Sequence, residues 1–275
     1  MIRFMKIKKL SLLFLLFFLA GCGRSANIIQ VKVSIPNTES EQSTSTDSQY
    51  DEATNGAVEP AEEQKSSDDS LSQETTIEIP ARLEWPVVFV SQAPQANWDN
   101  LHQEACEEAS MIMAAGYFSA KPLDTERMEE EIQKLVAWEK ENGYSVDLTA
   151  TEAVTVLKDY FGQTARVEEE VTPDRIKYEL SRGNLIIAPA AGRELGNPYF
   201  RTPGPIYHML VVKGYDEDEF ITNDVGTKRG DGFRYKYDRL ISAIHDWDHQ
   251  SAEGGMTDEE IARGRRVLIV IEKPN

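Results

Sequence analysis

The chain has 275 residues and a formal net charge of −18, from 47 acidic and 29 basic side chains. A chain this acidic lacks the basic surface with which proteins bind nucleic acid, so we expect no nucleic-acid partner. It contains only two cysteines, Cys22 and Cys106, and the sequence around each indicates a separate role.

The first 21 residues have the pattern of an export signal. Four basic residues precede an apolar stretch of 11 residues, 10–20, which is too short to span a bilayer but suits a signal-peptide core. Leu-Ala-Gly directly before Cys22 completes a lipoprotein cleavage box. We therefore predict a signal peptide at 1–21 and a lipid anchor on Cys22, which would hold the mature chain on the extracytoplasmic face of the cell membrane. An ordinary secretory signal with a coincidental cysteine is the alternative.

Residues 22–80 are predicted to form an acidic, disordered linker. The stretch 23–80 holds 12 acidic and 3 basic side chains, a charge of −9, and is rich in small polar residues. Such a composition repels itself and cannot bury a core. Residues 81–275 carry 35 acidic and 22 basic side chains, or −13, and are numerous enough for one domain with a substantial core. We expect this domain to be a monomer.

Within that domain, the patterns predict helices first and strands later. A short extended segment at 85–90 and a loop precede four helices, which are expected at 104–119, 124–142, 149–161 and 173–181. Strands are expected at 185–190, 207–215, 219–222, 232–237 and 266–272, with a further helix at 238–246. This order predicts an α+β domain, with a helical half, an antiparallel β half and a cleft between them.

Cys106 is the candidate nucleophile. It lies near the start of the first predicted helix, where the helix dipole stabilises a thiolate, although Glu107 and Glu108 oppose that effect. A lone cysteine followed far along the chain by a histidine and an Asx residue is typical of a thiol nucleophile with its base and its orienting group. A buried structural cysteine is the alternative.

His208 and Asp224 are the candidate partners of that thiol. His208 lies at the start of the 207–215 strand, from which a ring nitrogen could take the thiol proton. Asp224 follows the next strand, and pairing of the two strands would bring its carboxylate to the far ring nitrogen. Asn223 is the competitor for this orienting role.

Gln92 is the candidate donor to the oxyanion, acting with the backbone N–H of Cys106. Gln103, three residues before the cysteine, is its competitor. His245 and His249 have helical spacing for a metal pair, but no third ligand is identifiable, and we predict neither a metal nor a cofactor.

The chain resembles a known family in four segments, which are 90–94 (Val-Ser-Gln-Ala-Pro), 106–110 (Cys-Glu-Glu-Ala-Ser), 208–215 (His-Met-Leu-Val-Val-Lys-Gly-Tyr) and Asn223-Asp224. They are similar to papain-like cysteine peptidases of the stand-alone bacterial branch of family thirty-nine, relatives of the peptidases that cut double-glycine leaders from bacteriocins. The resemblance implies a papain-like α+β fold, with Gln92, Cys106, His208 and Asp224 at the oxyanion, nucleophile, base and orienting positions.

One departure limits what the resemblance implies. Exporter-linked members have Gly-Pro after the nucleophile, where this chain has Glu107-Glu108, so leader specificity does not carry over. The expected activity is thiol hydrolysis of a peptide or isopeptide bond, on a peptide or protein substrate outside the membrane. A peptide-binding module without turnover and an acyltransferase are the alternatives.

Overall fold

A computed structural model describes residues 29–30, 78–249 and 256–274 of the chain. The predicted signal peptide, Cys22 and most of the predicted linker lie outside these ranges. Within them, no helix is both long and apolar enough to cross a membrane.

The predicted helices and strands occur in the predicted order. The helices are α1 (Asn100–Gln103), α2 (Cys106–Phe118), α3 (Thr125–Glu141), α4 (Ala150–Asp159), α5 (Pro173–Ser181), α6 (Gly192–Leu195), α7 (Tyr237–Ala243) and α8 (Asp258–Arg263). The strands are β1 (Ile29–Gln30), β2 (Glu78–Ile79), β3 (Leu83–Glu84), β4 (Ala165–Glu168), β5 (Leu185–Ala191), β6 (Tyr207–Tyr215), β7 (Glu219–Asn223), β8 (Phe233–Lys236) and β9 (Leu268–Ile271). α1, α6, α8 and β4 are present in addition to the predicted elements. The α+β class, with a helical half followed by an antiparallel sheet, is confirmed.

One antiparallel sheet of seven strands forms the β half. Its order is β4-β9-β5-β6-β7-β8, and β3 pairs with the end of β6. A separate two-stranded pair joins β1 to β2, inside the range predicted as linker. Ile79 is buried, and the hydroxyl of Tyr215 donates to the carbonyl of Pro80 at 2.9 Å. Residues 79–80 therefore pack against the domain.

The central strands are buried on both faces because helices cover each side of the sheet. Alternate residues of β6 enter different cores: Met209 and Val211 pack with α2, α3 and α4, whereas Leu210 and Val212 pack with α5 and α7. This alternation follows from the two-residue period of a strand. The nine residues of β6 are all buried, so the apolar run at 209–212 within it has a direct structural cause.

Local capping explains why several helix bounds follow the sequence closely. The side chain of Asp124 caps α3, Thr149 forms a capping box with Glu152 at α4, and Thr172 caps α5 just before Pro173. These side chains satisfy backbone N–H groups that have no partner inside the helix. Residues 85–90 form an extended segment without strand pairing along their length, and the paired strand lies just before them, at β3.

Candidate active site

Cys106 begins α2, close to the strand that carries His208. The thiol is 5% exposed and donates to Oε2 of Glu107 at 3.0 Å. The backbone N–H of Met209 bonds to its sulfur, and the hydroxyl of Ser110 donates to the Met209 carbonyl at 3.2 Å. The edge of β6 at Met209 is not paired with β7, because the pairing of the two strands ends at Val211 and Asn223. The first turn of α2 therefore fills the place beside β6 where β7 has ended.

His208 and Asp224 are in direct contact. Nε2 of His208 donates to Oδ1 of Asp224 at 2.9 Å, and both side chains are almost fully buried. A neutral imidazole that holds its proton on Nε2 has its lone pair on Nδ1. Nδ1 is thus the ring nitrogen available to a thiol, and both His208 and Cys106 line one cleft of about 1030 Å³.

Asp224 is held as an anion by four donors. Besides His208, it accepts from the backbone N–H of Gly226 at 3.1 Å, from Nδ2 of Asn197 at 2.9 Å and from the hydroxyl of Tyr235 at 2.5 Å. Burial alone would raise the pKa of Asp224, but the His208 ring and the bonds from Tyr235 and Asn197 lower it overall. A fixed negative charge therefore lies behind the imidazole.

Asn223 serves another part of the structure. Its Nδ2 donates to the carbonyl of Val87 at 3.0 Å, and its Oδ1 accepts from the backbone N–H of Gly232. The contact with the His208 ring is thus made by Asp224, while Asn223 fastens the extended segment at 85–90 to the end of β7.

Two glycines leave room for the imidazole. A Cβ on Gly226 would lie 2.9 Å from Cε1 of His208 and 2.9 Å from Cε1 of Phe200. A Cβ on Gly192 would lie 2.6 Å from the carbonyl oxygen of Pro205 and 3.1 Å from Cβ of His208. Any side chain at either position would displace the ring or the loop before it.

Gln92 lines the cleft, but its amide hydrogens are already used. Nε2 donates to the carbonyls of His102 at 2.9 Å and Gln103 at 3.1 Å, while Oε1 is buried without a partner among the described residues. Nε2 of Gln103 likewise donates to the carbonyls of Trp98 and Asp99. For either amide to reach an oxyanion, one of these bonds has to open.

The pKa of the Cys106 thiol is not lowered, although the sequence places the cysteine at a helix start, where the helix dipole favours a thiolate. Burial, the charge of Glu107 and the bond to that carboxyl raise the pKa of Cys106 well above its usual value, against the bond from the Met209 N–H. The start of the helix therefore does not decide the state of this thiol. In the resting protein Cys106 is a neutral thiol.

A group of buried acids next to the cysteine is a feature that sequence reasoning missed. Glu107, Glu108 and Glu139 are at most 4% exposed, and each has one carboxyl oxygen without a partner among the described residues. Burial and mutual repulsion raise the pKa of Glu107 and Glu108 well above their usual value, and burial raises the pKa of Glu139 to about 7. Glu108 hydrogen-bonds to Glu139, and such a pair shares a proton.

A signal for this group is present in the sequence. On α3 the buried positions are Met128, Ile132, Leu135 and Glu139, whose spacing of four, three and four residues is that of one apolar stripe. A glutamate on such a stripe faces the core, where it requires either a cation or a proton.

The remaining histidines have structural partners. His102 lies between Oδ1 of Asp99, at 2.7 Å, and Oε2 of Glu129, at 3.0 Å. His245 and His249 contact the Gly264 carbonyl and the Glu152 carboxylate, respectively. Within the described ranges, the one group of three close metal-ligating atoms is Asp216, Asp218 and Glu219, which already pair with Arg234 and Lys236.

Comparison with known proteins gives the family. The sequence model of the Peptidase_C39 like family matches residues 86–253, which is more than half of the chain. The chain belongs to the Peptidase_C39 like family. The resemblance to papain-like cysteine peptidases of family thirty-nine is therefore confirmed, and a peptidase function is the function of the family.

A solved structure is also similar. It is a crystal structure assigned to a C39-like peptidase from Bacillus anthracis, and its sequence is 12% identical to this chain. The alignment covers 70% of this chain and 98% of the other, with a TM-score of 0.43. No curated protein sequence matches the chain. The family assignment rests on the sequence model.

Proposed function

We propose that this family member is a thiol hydrolase that cleaves a peptide or isopeptide bond, with Cys106 as nucleophile, His208 as base and Asp224 as the group that orients the imidazole. The observation that carries the proposal is the hydrogen bond from Nε2 of His208 to Asp224, in a histidine that lines the same cleft as Cys106. That arrangement leaves Nδ1 as the base.

Acylation begins from a neutral thiol. Nδ1 of His208 takes the proton as the sulfur attacks the carbonyl carbon, and the imidazolium then gives that proton to the leaving amine. The charge of Asp224 stabilises the imidazolium through Nε2. The raised pKa of Cys106 favours proton transfer during attack over an ion pair formed in advance.

Deacylation returns the enzyme to its starting state. The same Nδ1 removes a proton from water, whose oxygen attacks the thioester, and the proton returns to the departing sulfur. The backbone N–H of Cys106 is a donor to the oxyanion in both steps, and Gln92 joins it when one of its two carbonyl bonds opens.

The location is part of the proposal. The signal pattern at 1–21 and Cys22 support a lipid-anchored protein on the extracytoplasmic face of the membrane. A peptide or protein substrate and a monomeric domain belong to the same proposal. Mass spectrometry of the N-terminal peptide from the producing cells tests the anchor. A diacylglyceryl group on Cys22 supports it, whereas an unmodified Cys22 or a retained signal would contradict it.

The hydrolase proposal is tested by incubating the full-length chain with a blocked peptide library in water enriched in ¹⁸O. Hydrolysis places one solvent oxygen in each new C-terminal carboxylate, whereas transfer to an added amine places none. The matched control is Cys106→Ser, which keeps the size of the side chain and removes the strong nucleophile. Cleavage that persists in this variant would refute the assignment of Cys106.

A second candidate is a peptide-binding module of the same fold without turnover. The raised pKa of Cys106 and the two occupied amide hydrogens of Gln92 favour it. Peptide binding by the wild type, without ¹⁸O incorporation under any condition, would select this candidate.

A further inference from the structure

Three basic side chains line the cleft of a strongly acidic domain. Arg201 belongs to the loop before β6, and Lys228 and Arg229 belong to the turn after β7. All three are exposed, while residues 81–275 together carry −13. The local charge of this wall is therefore opposite to that of the domain.

These three cations are among the basic side chains that have no carboxylate partner within the described ranges. Within the described ranges, Arg166, Arg175 and Arg234 each form ion pairs with acids. No carboxylate of the described residues pairs with the basic groups of the cleft wall. One of them, the guanidinium of Arg229, lies 4.8 Å from the ring centroid of Tyr199, which fixes its direction without neutralising its charge.

The basic wall lies on the histidine side of the cleft. Phe200, directly before Arg201, packs edge-on against the His208 ring with centroids 5.3 Å apart. Gly226, two residues before Lys228, approaches that ring so closely that it has no room for a Cβ.

The thiol side has the opposite charge. Glu104 is two residues before Cys106 and lines the same cleft as Asp147. Burial, and then the charge of Asp147, raise the pKa of Glu104, so the two carboxyls are near neighbours. A substrate in the cleft therefore meets acids beside the nucleophile and cations beside the base.

We propose that the cleft takes peptides with an acidic side chain adjacent to the scissile bond, and that Arg201, Lys228 and Arg229 bind this side chain beside His208. This inference rests on the proposed function for the position of the scissile bond. The carboxylate supplies the partner that the three cations lack, and a basic wall within an acidic domain concentrates anionic segments at the cleft.

Peptide pairs that differ only by Glu or Gln at one position test the proposal. With the full-length chain, we expect one position next to the cleaved bond at which Glu gives a kcat/KM about tenfold higher than Gln. High salt should reduce this ratio of the two kcat/KM values toward one, because salt screens exposed charges. In Arg201→Glu/Lys228→Glu the preference should vanish or reverse.

The control is Lys140→Glu/Lys158→Glu. These two lysines are exposed on α3 and α4, and the double variant changes the net charge by the same amount, so it should keep the preference. Loss of the preference in this control, or a wild type that cleaves the peptides but prefers Glu at no position, would overturn the proposal.

Binding to the Cys106→Ala chain separates this inference from the hydrolase proposal. Fluorescence anisotropy with labelled Glu and Gln peptides measures recognition when no bond is cut. If neither peptide is cleaved but the Glu peptide binds about tenfold more tightly, acidic recognition stands and the hydrolase proposal fails. Equal affinities for both peptides would overturn the inference, whether or not the wild type is active.

Discussion

Asp224 and Glu107 are both fully buried carboxyl groups beside the same cleft, yet burial has opposite results for them. The pKa of Asp224 is lowered, because a histidine ring and three further donors surround it. The pKa of Glu107 is raised well above its usual value, because burial and the neighbouring acids outweigh its bond from the Cys106 thiol. The number of donors, and not burial itself, decides whether a buried acid is charged.

The pKa of a buried acid thus differs between the two halves of the domain. The sheet side holds a fixed anion that orients the base, whereas on the helical side burial raises the pKa of the acids and of the thiol. In a reaction in this cleft, the thiol proton therefore has to move to His208 on the sheet side, where the charge of Asp224 stabilises the imidazolium.

Asp224→Asn should have the largest effect, because it removes the only one of these two carboxyls that is held as an anion. Without that charge the imidazolium loses its stabilisation and the ring its fixed tautomer, so kcat/KM should fall about 10²–10⁴-fold. Peptide turnover measures it, with Asp231→Asn on the exposed turn before β8 as the control. Activity within threefold of wild type would mean that Asp224 does not orient the base.

Glu139→Gln should weaken the pH dependence of stability, to which Glu107 and Glu108 also contribute. The pKa of Glu139 is about 7 in the folded chain against 4.5 for an ordinary glutamate, so its contribution is fully present below about pH 4.5 and is lost as the pH rises to 7. The loss in the wild type is on the order of 3 kcal/mol. Urea unfolding at pH 5 and pH 8 measures it.

Glu141→Gln, which changes an exposed glutamate at the end of the same helix, is the matched control and should behave as wild type. An equal pH dependence in wild type and Glu139→Gln would show that Glu139 does not contribute to it.

Glu107→Gln should reduce the electrostatic difference between the helical side and the sheet side of the cleft. It keeps an acceptor near the sulfur but removes the charge that forms when Glu107 ionises, so the pKa of Cys106 should fall and labelling should begin at lower pH. Iodoacetamide labelling against pH measures this in chains that carry Cys22→Ser, where Cys106 is the only cysteine. Glu104→Gln is the control, and an unshifted labelling curve in Glu107→Gln would contradict the expectation.

Tyr235→Phe should have the smallest effect. It removes one of the two donors to Oδ2 of Asp224 and leaves the bond from Asn197. The pKa of Asp224 should rise toward its usual value, which would lower kcat/KM about threefold at the acid end of the pH profile. Tyr237→Phe, whose hydroxyl donates to the Asp216 carbonyl instead, should leave that end unchanged.

The elements that the sequence predicts well are those whose limits are set locally. α5 begins after the Thr172 cap at Pro173, and β6 is built around four consecutive apolar residues, 209–212, so both lie where the sequence analysis expects them. α2 begins two residues later than expected, because Glu104 ends α1 and Ala105 offers no side-chain cap. β4 was missed because its four half-buried residues include Arg166 and Glu168, and pairing with β9 at the sheet edge is what makes it a strand.

The same distinction applies to the candidate site. The contact of His208 with Asp224 follows from two neighbouring strands and a short turn, which the sequence displays directly. The pairing of Glu108 with Glu139 depends on how α2 packs on α3, and the use of both Gln92 hydrogens depends on where α1 lies. Contacts between distant elements require the tertiary structure.

The pairing of β3 with β6 determines where the polypeptide arrives relative to the cleft. β3 meets β6 at Tyr215, whereas His208 lies seven residues away at the other end of that strand. At about 3.3 Å per residue, the two points are roughly 23 Å apart. The segment that leads into the sheet and the histidine of the cleft therefore lie at opposite ends of β6.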